Sequence, residues 1–433
     1  MSFFGVLSGS ALRSRTMEFP LHPYTILMVV GGSRAYGTHD SQSDVDIRGC
    51  AIAPMRYYTG IRHEFEQADN PFDMTVFLNL SPQEEAQAQV LSVHTATKKD
   101  TARAVEKLQV FTATLPDKAF CLFTGEEQAA IREHKLEGSI YDIRKFVTLA
   151  QDCNPNILDV LFCREEEVRI CTPLGRQLRD NRHLFLSAAA KHRFSGYAMS
   201  QLGRIERHRR WLLDPPTAAP TREQYGLPPQ TLIPKSHLGQ AMAQIQSKMD
   251  EWAIDYSDMK DSQKVYVQGQ IEKFLAEVQI AADDQWAAAG RILGFSEDFM
   301  KLAKRERKYL LARKEWRSYQ EWKINRNPIR AAMEAEFGYD LKHAQHLVRL
   351  MRTGLELLQT GECLVWRHDA EELKAIRAGS MTYDELLSWA RGTAAQMDDI
   401  YKNQTYVVPH EPDREALNAL CMELIDTYHR GNA

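Results

Sequence analysis

From Tyr24 to Val30 the chain reads YTILMVV, an unbroken apolar run rich in β-branched residues, and it leads into Gly31-Gly32. Such a run without polar alternation predicts a buried strand entering a tight turn. After a polar loop comes DVDIRGCAIAP, where acidic and apolar residues alternate before the pattern becomes apolar. That predicts a second strand, closed by Pro54. DMTVFLNL, starting at Asp73, predicts a third. Residues 83–134 are polar and helical in composition and read as a helical insertion or flap. GSIYDIRKFVTLAQ begins β-like and turns helical, with Ile143, Phe146, Val147 and Ala150 on one side. NPN breaks that helix, ILDVLF is a short apolar helix or strand, and TPLG gives a further break near residue 172.

Beyond that point the pattern is helical almost throughout. KHRFSGYAMSQLGRIERHRRWLL carries apolar residues at spacings of three and four with a basic opposite face. The stretch 214–234, DPPTAAPTREQYGLPPQTLIP, is the most proline-rich in the chain and predicts a hinge. Helical patterns follow over 237–320 and through the last hundred residues, including YDLKHAQHLVRLMRTGLELLQTG. The expected organisation is therefore an α+β domain over 1–172 and a mainly helical, substrate-binding region over 173–433.

The 433 residues suffice for two or three domains. With 44% hydrophobic and 26% charged residues and a net charge of −4, the chain is no polycation, so any nucleic-acid site must be a local basic patch. Seven cysteines lie scattered without a CxxC pair, which argues against a disulfide framework and a zinc ribbon and fits a reducing cytoplasm. YTILMVV is too short to span a bilayer, and the first residues lack the apolar core of a signal peptide. The expectation is a cytoplasmic protein with no membrane partner.

The order of residues 31–49, GGSRAYGTHDSQSDVDIRG, is not that of an ordinary solvated loop. Gly32 and Ser33 follow a strand and open a helix, so backbone N–H groups without Cβ crowding can meet phosphate oxygens. Asp44 and Asp46 lie two apart on a strand, so both carboxylates leave the same face and can grip magnesium through oxygen. Nucleotidyl transfer needs this pairing of a triphosphate cradle with metal-holding carboxylates, and a third acid from a neighbouring strand completes it. A turn with solvated aspartates is the plain alternative, and THDSQS fits it in part.

These residues resemble the polymerase-β nucleotidyltransferase superfamily. More narrowly, YDIRKFVTLAQDCNPNILDVLF, KHRFSGYAMSQLGRIERHRRWL and NRNPIRAAMEAEFGYDLKHAQHLVRLMRTGLELLQTG resemble blocks of the RNA-ligase-associated, RlaP-type nucleotidyltransferases of phages and bacteria. The resemblance implies a small mixed sheet with flanking helices and a helical C-terminal part. It also implies Mg2+, with Mn2+ as a substitute, a nucleoside triphosphate such as ATP, and a role in RNA repair beside an RNA ligase. By the same resemblance the third acid stands eight residues before the lysine of RKF, which here is Glu137 rather than Asp. Asp142 and Asp73 are the alternatives as metal ligands.

Lys342, His346 and Arg349 fall at i, i+4 and i+7, near one helix face with His343 one residue round, and suit a triphosphate or an RNA backbone. Arg34, inside the glycine loop, is a further phosphate candidate. Arg326 and Arg330 of NRNPIR could neutralise phosphate or form surface ion pairs. The run Arg204, Arg207, His208, Arg209, Arg210 beside Trp211 could track a nucleic-acid backbone and stack a base, with a core tryptophan as the alternative.

The reading is a magnesium-dependent nucleotidyltransferase that moves a nucleoside monophosphate to an acceptor hydroxyl. Asp44, Asp46 and Glu137 hold metal, while Gly32, Ser33, Arg34, Lys342, His346 and Arg349 bind the triphosphate. The preferred acceptor is an RNA end, either a tRNA or a damaged RNA. Transfer to a protein or small-molecule hydroxyl, or a non-catalytic nucleotide- or RNA-binding module, are the rivals.

Overall fold

The computed structural model describes residues 19–61, 64–69, 73–93, 98–134, 136–231, 239–241, 243–244, 293–324, 326 and 328–431. The N-terminal arm, most of the helical pattern over 237–292, and the Arg330 side chain lie outside what it describes.

Five strands form one mixed sheet: β1 (Thr25–Val30), β2 (Val45–Ala51), β3 (Gln67–Ala68), β4 (Leu136–Asp142) and β5 (Val168–Cys171), in the order β3-β4-β2-β1-β5. β2 and β4 run parallel; the other pairings are antiparallel. β1 is buried along its whole length, as an unbroken apolar run requires of a central strand.

Two apolar layers cover the two faces. Val45, Ile47, Leu136 and Ile140 point into one, beneath the helices of 82–133. Leu27, Val29 and Cys50 point into the other, against the helices Ile143–Gln151, Pro155–Phe162 and Leu341–Thr360. Period-two alternation then puts Asp44, Asp46 and Arg48 on this second face, between the buried Ser43, Val45 and Ile47.

DMTVFLNL does not form a strand. Asp73–Phe77 is a 3-10 helix whose Met74 packs toward Gly138 from the Ile47 side of the sheet. An apolar run this short does not distinguish a strand from a packed turn, and tertiary contact decides it. Conversely β5, which the sequence reading left out, pairs with β1 as an edge strand.

The described residues divide into two compact units: 1–209 with 333–433, and 210–332. This differs from a boundary at 172. The apolar layer on the Asp46 side of the sheet continues through Leu347, Met351, Leu386 and Leu424, so the C-terminal helices belong to the same core as β1. The unit 210–332 begins beside the proline-rich stretch and is built on the helix Glu297–Ile324. Within it Trp211 is buried against Tyr319 and Trp322, and the Arg222 guanidinium is ion-paired with the buried Glu306. No described helix is long and apolar enough to cross a membrane.

Candidate active site

The loop after β1 closes onto the start of β2. Gly31 N–H donates to the Asp46 carbonyl at 2.7 Å, and Gly32–Ala35 then makes a single helical turn. A helix this short has little macrodipole, so the cradle depends on close approach instead. Gly32 sits at φ +61°, and a Cβ there would lie 2.2 Å from Asp46 Oδ2. Only glycine lets this backbone turn over the carboxylate. Ser33 is partly exposed on the same turn, and its carbonyl accepts the Thr38 N–H at 2.9 Å.

Asp46 pairs in register with Glu137 across the parallel β2–β4 ladder. In parallel strands, register partners leave the same face, so Glu137 stands beside Asp46, and Asp44 lies two residues earlier, just before β2 begins. All three are partly exposed. Asp142 is five residues beyond Glu137 and is otherwise engaged. It is 2% exposed, caps the helix Ile143–Gln151 through Arg144 N–H at 3.0 Å, and accepts Tyr58 O–H at 2.9 Å and Arg144 Nε at 2.9 Å. Asp73, on the 3-10 helix, belongs to the opposite layer of the sheet. The structure thus separates both alternatives from the Asp44–Asp46–Glu137 group. An all-oxygen donor set and the missing Cβ above Asp46 fit a magnesium ion, which prefers oxygen ligands and keeps part of its water.

Arg34 does not face this group. It is 8% exposed, donates to Glu126 Oε1 at 2.9 Å and to the Ser43 carbonyl at 3.4 Å. The Arg34 bond holds the Glu126 carboxyl below its usual range. Its work is to bind the loop to the helix Gly125–Glu133.

A second layer joins Arg349, expected from its helix spacing, to an acid that the sequence pattern did not single out, Asp159. Tyr36 O–H donates to Asp159 Oδ2 at 2.6 Å, and the Arg349 guanidinium lies 3.7 Å from the centre of the Tyr36 ring. Arg349 is 2% exposed, approaches Asp159 Oδ1 at 3.7 Å, and none of its three guanidinium nitrogens finds a hydrogen-bond partner. Burial raises the Tyr36 phenol well above its ordinary value. Arg48, two residues past Asp46, donates to Asn156 Oδ1 at 2.8 Å and runs beside Gly31. Asp159 lies in ILDVLF and Asn156 in NPN, one a buried acid on an apolar helix, the other just past its cap. The acid in an apolar run was the available signal.

On the helix Leu341–Thr360, Lys342 is exposed, His346 partly buried and Arg349 buried. Burial, reinforced by the charges of Arg349, His343, Arg48 and Lys342, pushes the His346 imidazole well below its ordinary value, so it is neutral at pH 7. The guanidinium stacks on Tyr36, the residue that ends the turn Gly32–Ala35. The basic helix Ala190–Leu213 behaves less uniformly. Arg204 and Arg207 are exposed, but Arg209 donates to the Gly338 carbonyl, Arg210 is ion-paired with Glu315, and Trp211 is core, not a stacking platform. Arg326 lies over the Trp322 ring, 4.2 Å from its centre.

A small mixed sheet that presents paired aspartates beneath a glycine turn, with flanking helices and a helical C-terminal half, defines a polymerase-β-like nucleotidyltransferase domain. Residues 15–78 and 125–212 match the model of RlaP, the RNA repair pathway DNA polymerase beta family. The gap between them contains the helices Pro82–Val93 and Lys98–Thr114, and the helix bearing His346 and Arg349 lies beyond the match. No curated protein and no solved structure matches.

Proposed function

We propose that this chain transfers a nucleoside monophosphate from a nucleoside triphosphate to an acceptor hydroxyl, preferentially at an RNA end. The observation that carries the reading is the Asp46–Glu137 register pair beneath the Cβ-free turn at Gly32. Asp44, Asp46 and Glu137 would hold divalent metal, preferably Mg2+, which supplies charge neutralisation on the phosphates and lowers the pKa of the acceptor hydroxyl. The Gly32–Ser33 backbone approaches the triphosphate, and Arg349, whose three nitrogens make no hydrogen bond although Asp159 lies near, is the buried cation offered to it. His346, neutral when unliganded, donates or accepts one hydrogen bond without adding charge. The acceptor oxygen gives up its proton and bonds to the α-phosphorus, the bond to the bridging oxygen breaks, and pyrophosphate leaves. Positioning and charge neutralisation supply most of the rate.

The RNA end is supported by the exposed Arg204 and Arg207 and by the description of the matched family. The test incubates the protein with Mg2+, each α-labelled nucleoside triphosphate in turn, and a pool of small RNAs. Label on RNA that disappears with Asp44→Asn and Asp46→Asn is expected. Label on protein or on a small molecule would change the acceptor, and pyrophosphate release unaffected by Asp46→Asn would sink the metal assignment. The longer side chain of Glu137 favours one rival, a nucleotide-binding module without turnover, which predicts binding with no pyrophosphate.

A further inference from the structure

A second group of metal-ligand side chains lies at the start of the helix Leu341–Thr360 and has a donor chemistry different from the three carboxylates. Asp340, 1% exposed, is the N-cap of this helix, and His343 stands in its first turn. His208 comes from the far end of the helix Ala190–Leu213. His208 Nδ1 lies 3.4 Å from Asp340 Oδ2, and His343 Nε2 lies 3.5 Å from the same oxygen. The three ligand atoms all fall within 4.8 Å of one another. His343 by itself is no metal site; the fold brings His208 and Asp340 to it.

The His208 Nδ1–Asp340 Oδ2 contact is within hydrogen-bond reach, and its length also suits two ligands of one metal ion. Strong N–H···O bonds cluster at about 2.9–3.0 Å, whereas ligands bound at about 2.0–2.1 Å around a tetrahedral metal are about 3.3–3.4 Å apart. Both imidazoles converge on Oδ2, while Oδ1 accepts the His343 backbone N–H at 3.1 Å. One carboxylate oxygen is therefore fixed by the helix cap, and the other is presented to two nitrogens. Such outer hydrogen bonds orient metal ligands. Two imidazoles and one carboxylate select zinc or a similar late divalent metal over magnesium.

We propose that His208, Asp340 and His343 bind one Zn2+, with a fourth position left to water. The ion joins the end of one helix to the start of another, whose next turns carry His346 and Arg349. It is a positioning site, separate from the carboxylates of β2 and β4.

Zinc content and affinity of the full-length protein, stripped with chelator and titrated against a chromophoric competitor, test this. One equivalent is expected, with affinity falling about a hundredfold or more in His208→Ala and His343→Gln. Asp340→Asn preserves a capping side chain but removes the anionic ligand, so it should weaken zinc while circular dichroism stays unchanged. The Co2+-substituted protein should show ligand-field bands without a thiolate charge-transfer band. Zinc that survives all three substitutions, zinc lost only with Asp46→Asn, or a stripped protein that takes up none would each overturn the proposal. Because the readout is binding, it is independent of whether the nucleotidyl transfer occurs.

Discussion

Gly32 and Asp46 are packed so closely that no side chain fits between them: a Cβ on Gly32 would stand 2.2 Å from Asp46 Oδ2. The positive φ of +61° adds a second requirement for glycine at the same place. Gly32→Ala must therefore either displace the carboxylate or unwind the turn. The expected result is loss of nucleotidyl transfer by about a hundredfold or more, since a misplacement of about 1 Å has that effect. Gly31→Ala is the control. Its Cβ would meet only the Arg48 side chain, at 3.6 Å, and activity should be largely kept. Equal loss in both variants would show that the contact with Asp46 is not what matters.

Glu137 and Asp142 lie on one strand and should respond in opposite ways. Glu137→Gln removes a carboxylate beside Asp46 and should weaken Mg2+-dependent transfer with little change in stability. Asp142→Ala removes a buried helix cap and the partner of Tyr58 and Arg144. It should cost about 1–3 kcal/mol in denaturant unfolding and leave the magnesium dependence of the remaining activity unchanged. The reverse pattern would transfer the third-ligand role to Asp142.

Arg349 is a buried cation whose nitrogens lack hydrogen-bond partners, and a triphosphate would supply them. Thermal shift separates this role from simple packing. A nucleoside triphosphate with Mg2+ should raise the Tm of the wild type, and Arg349→Met should lose most of that increment whatever its own Tm. An undiminished increment would remove Arg349 from the site. Tyr36→Phe, which deletes the 2.6 Å bond to Asp159, should destabilise the protein by about 1–3 kcal/mol through the acid left behind.

His346 gives a pH dependence of defined sign. Its imidazole is held well below the ordinary 6.5, chiefly by burial, so between its folded and unfolded values the unfolded chain binds more protons. Stability from this group is intact above about pH 6.5 and falls as the pH drops below it. His346→Gln should flatten that part of the curve, read as the difference in denaturation midpoint between pH 7.5 and 5.5. Identical slopes in both proteins would mean that His346 is solvated.

Much of the candidate site was legible because it depends on local order. Gly32-Ser33 after an apolar run, and Asp44 and Asp46 two apart ahead of another, need only strand periodicity to be read as chemistry. β1, β2 and the helix Leu341–Thr360 follow from patterns of seven or more residues, where periodicity is informative, while of β4 only a β-like start at GSIYD was legible. DMTVFLNL misled because a short apolar segment satisfies either a strand or a packed 3-10 turn. Arg34 looked like a phosphate ligand because it sits in the loop, but its partner, Glu126, is 92 residues away. Trp211 looked like a stacking surface until Tyr319 and Trp322 covered it.

The sequence by itself determined the short-range elements: the glycine turn, the paired aspartates, and the amphipathic helix that carries both His346 and Arg349. Each depends on spacings within a few residues, which backbone geometry converts directly into shared faces. Only the tertiary structure decided which distant groups meet. It set Glu137 beside Asp46 by the β2–β4 register, placed Arg349 over Tyr36, and brought His208 to Asp340 and His343. Those pairings depend on how whole strands and helices pack against one apolar core, and no local pattern encodes that.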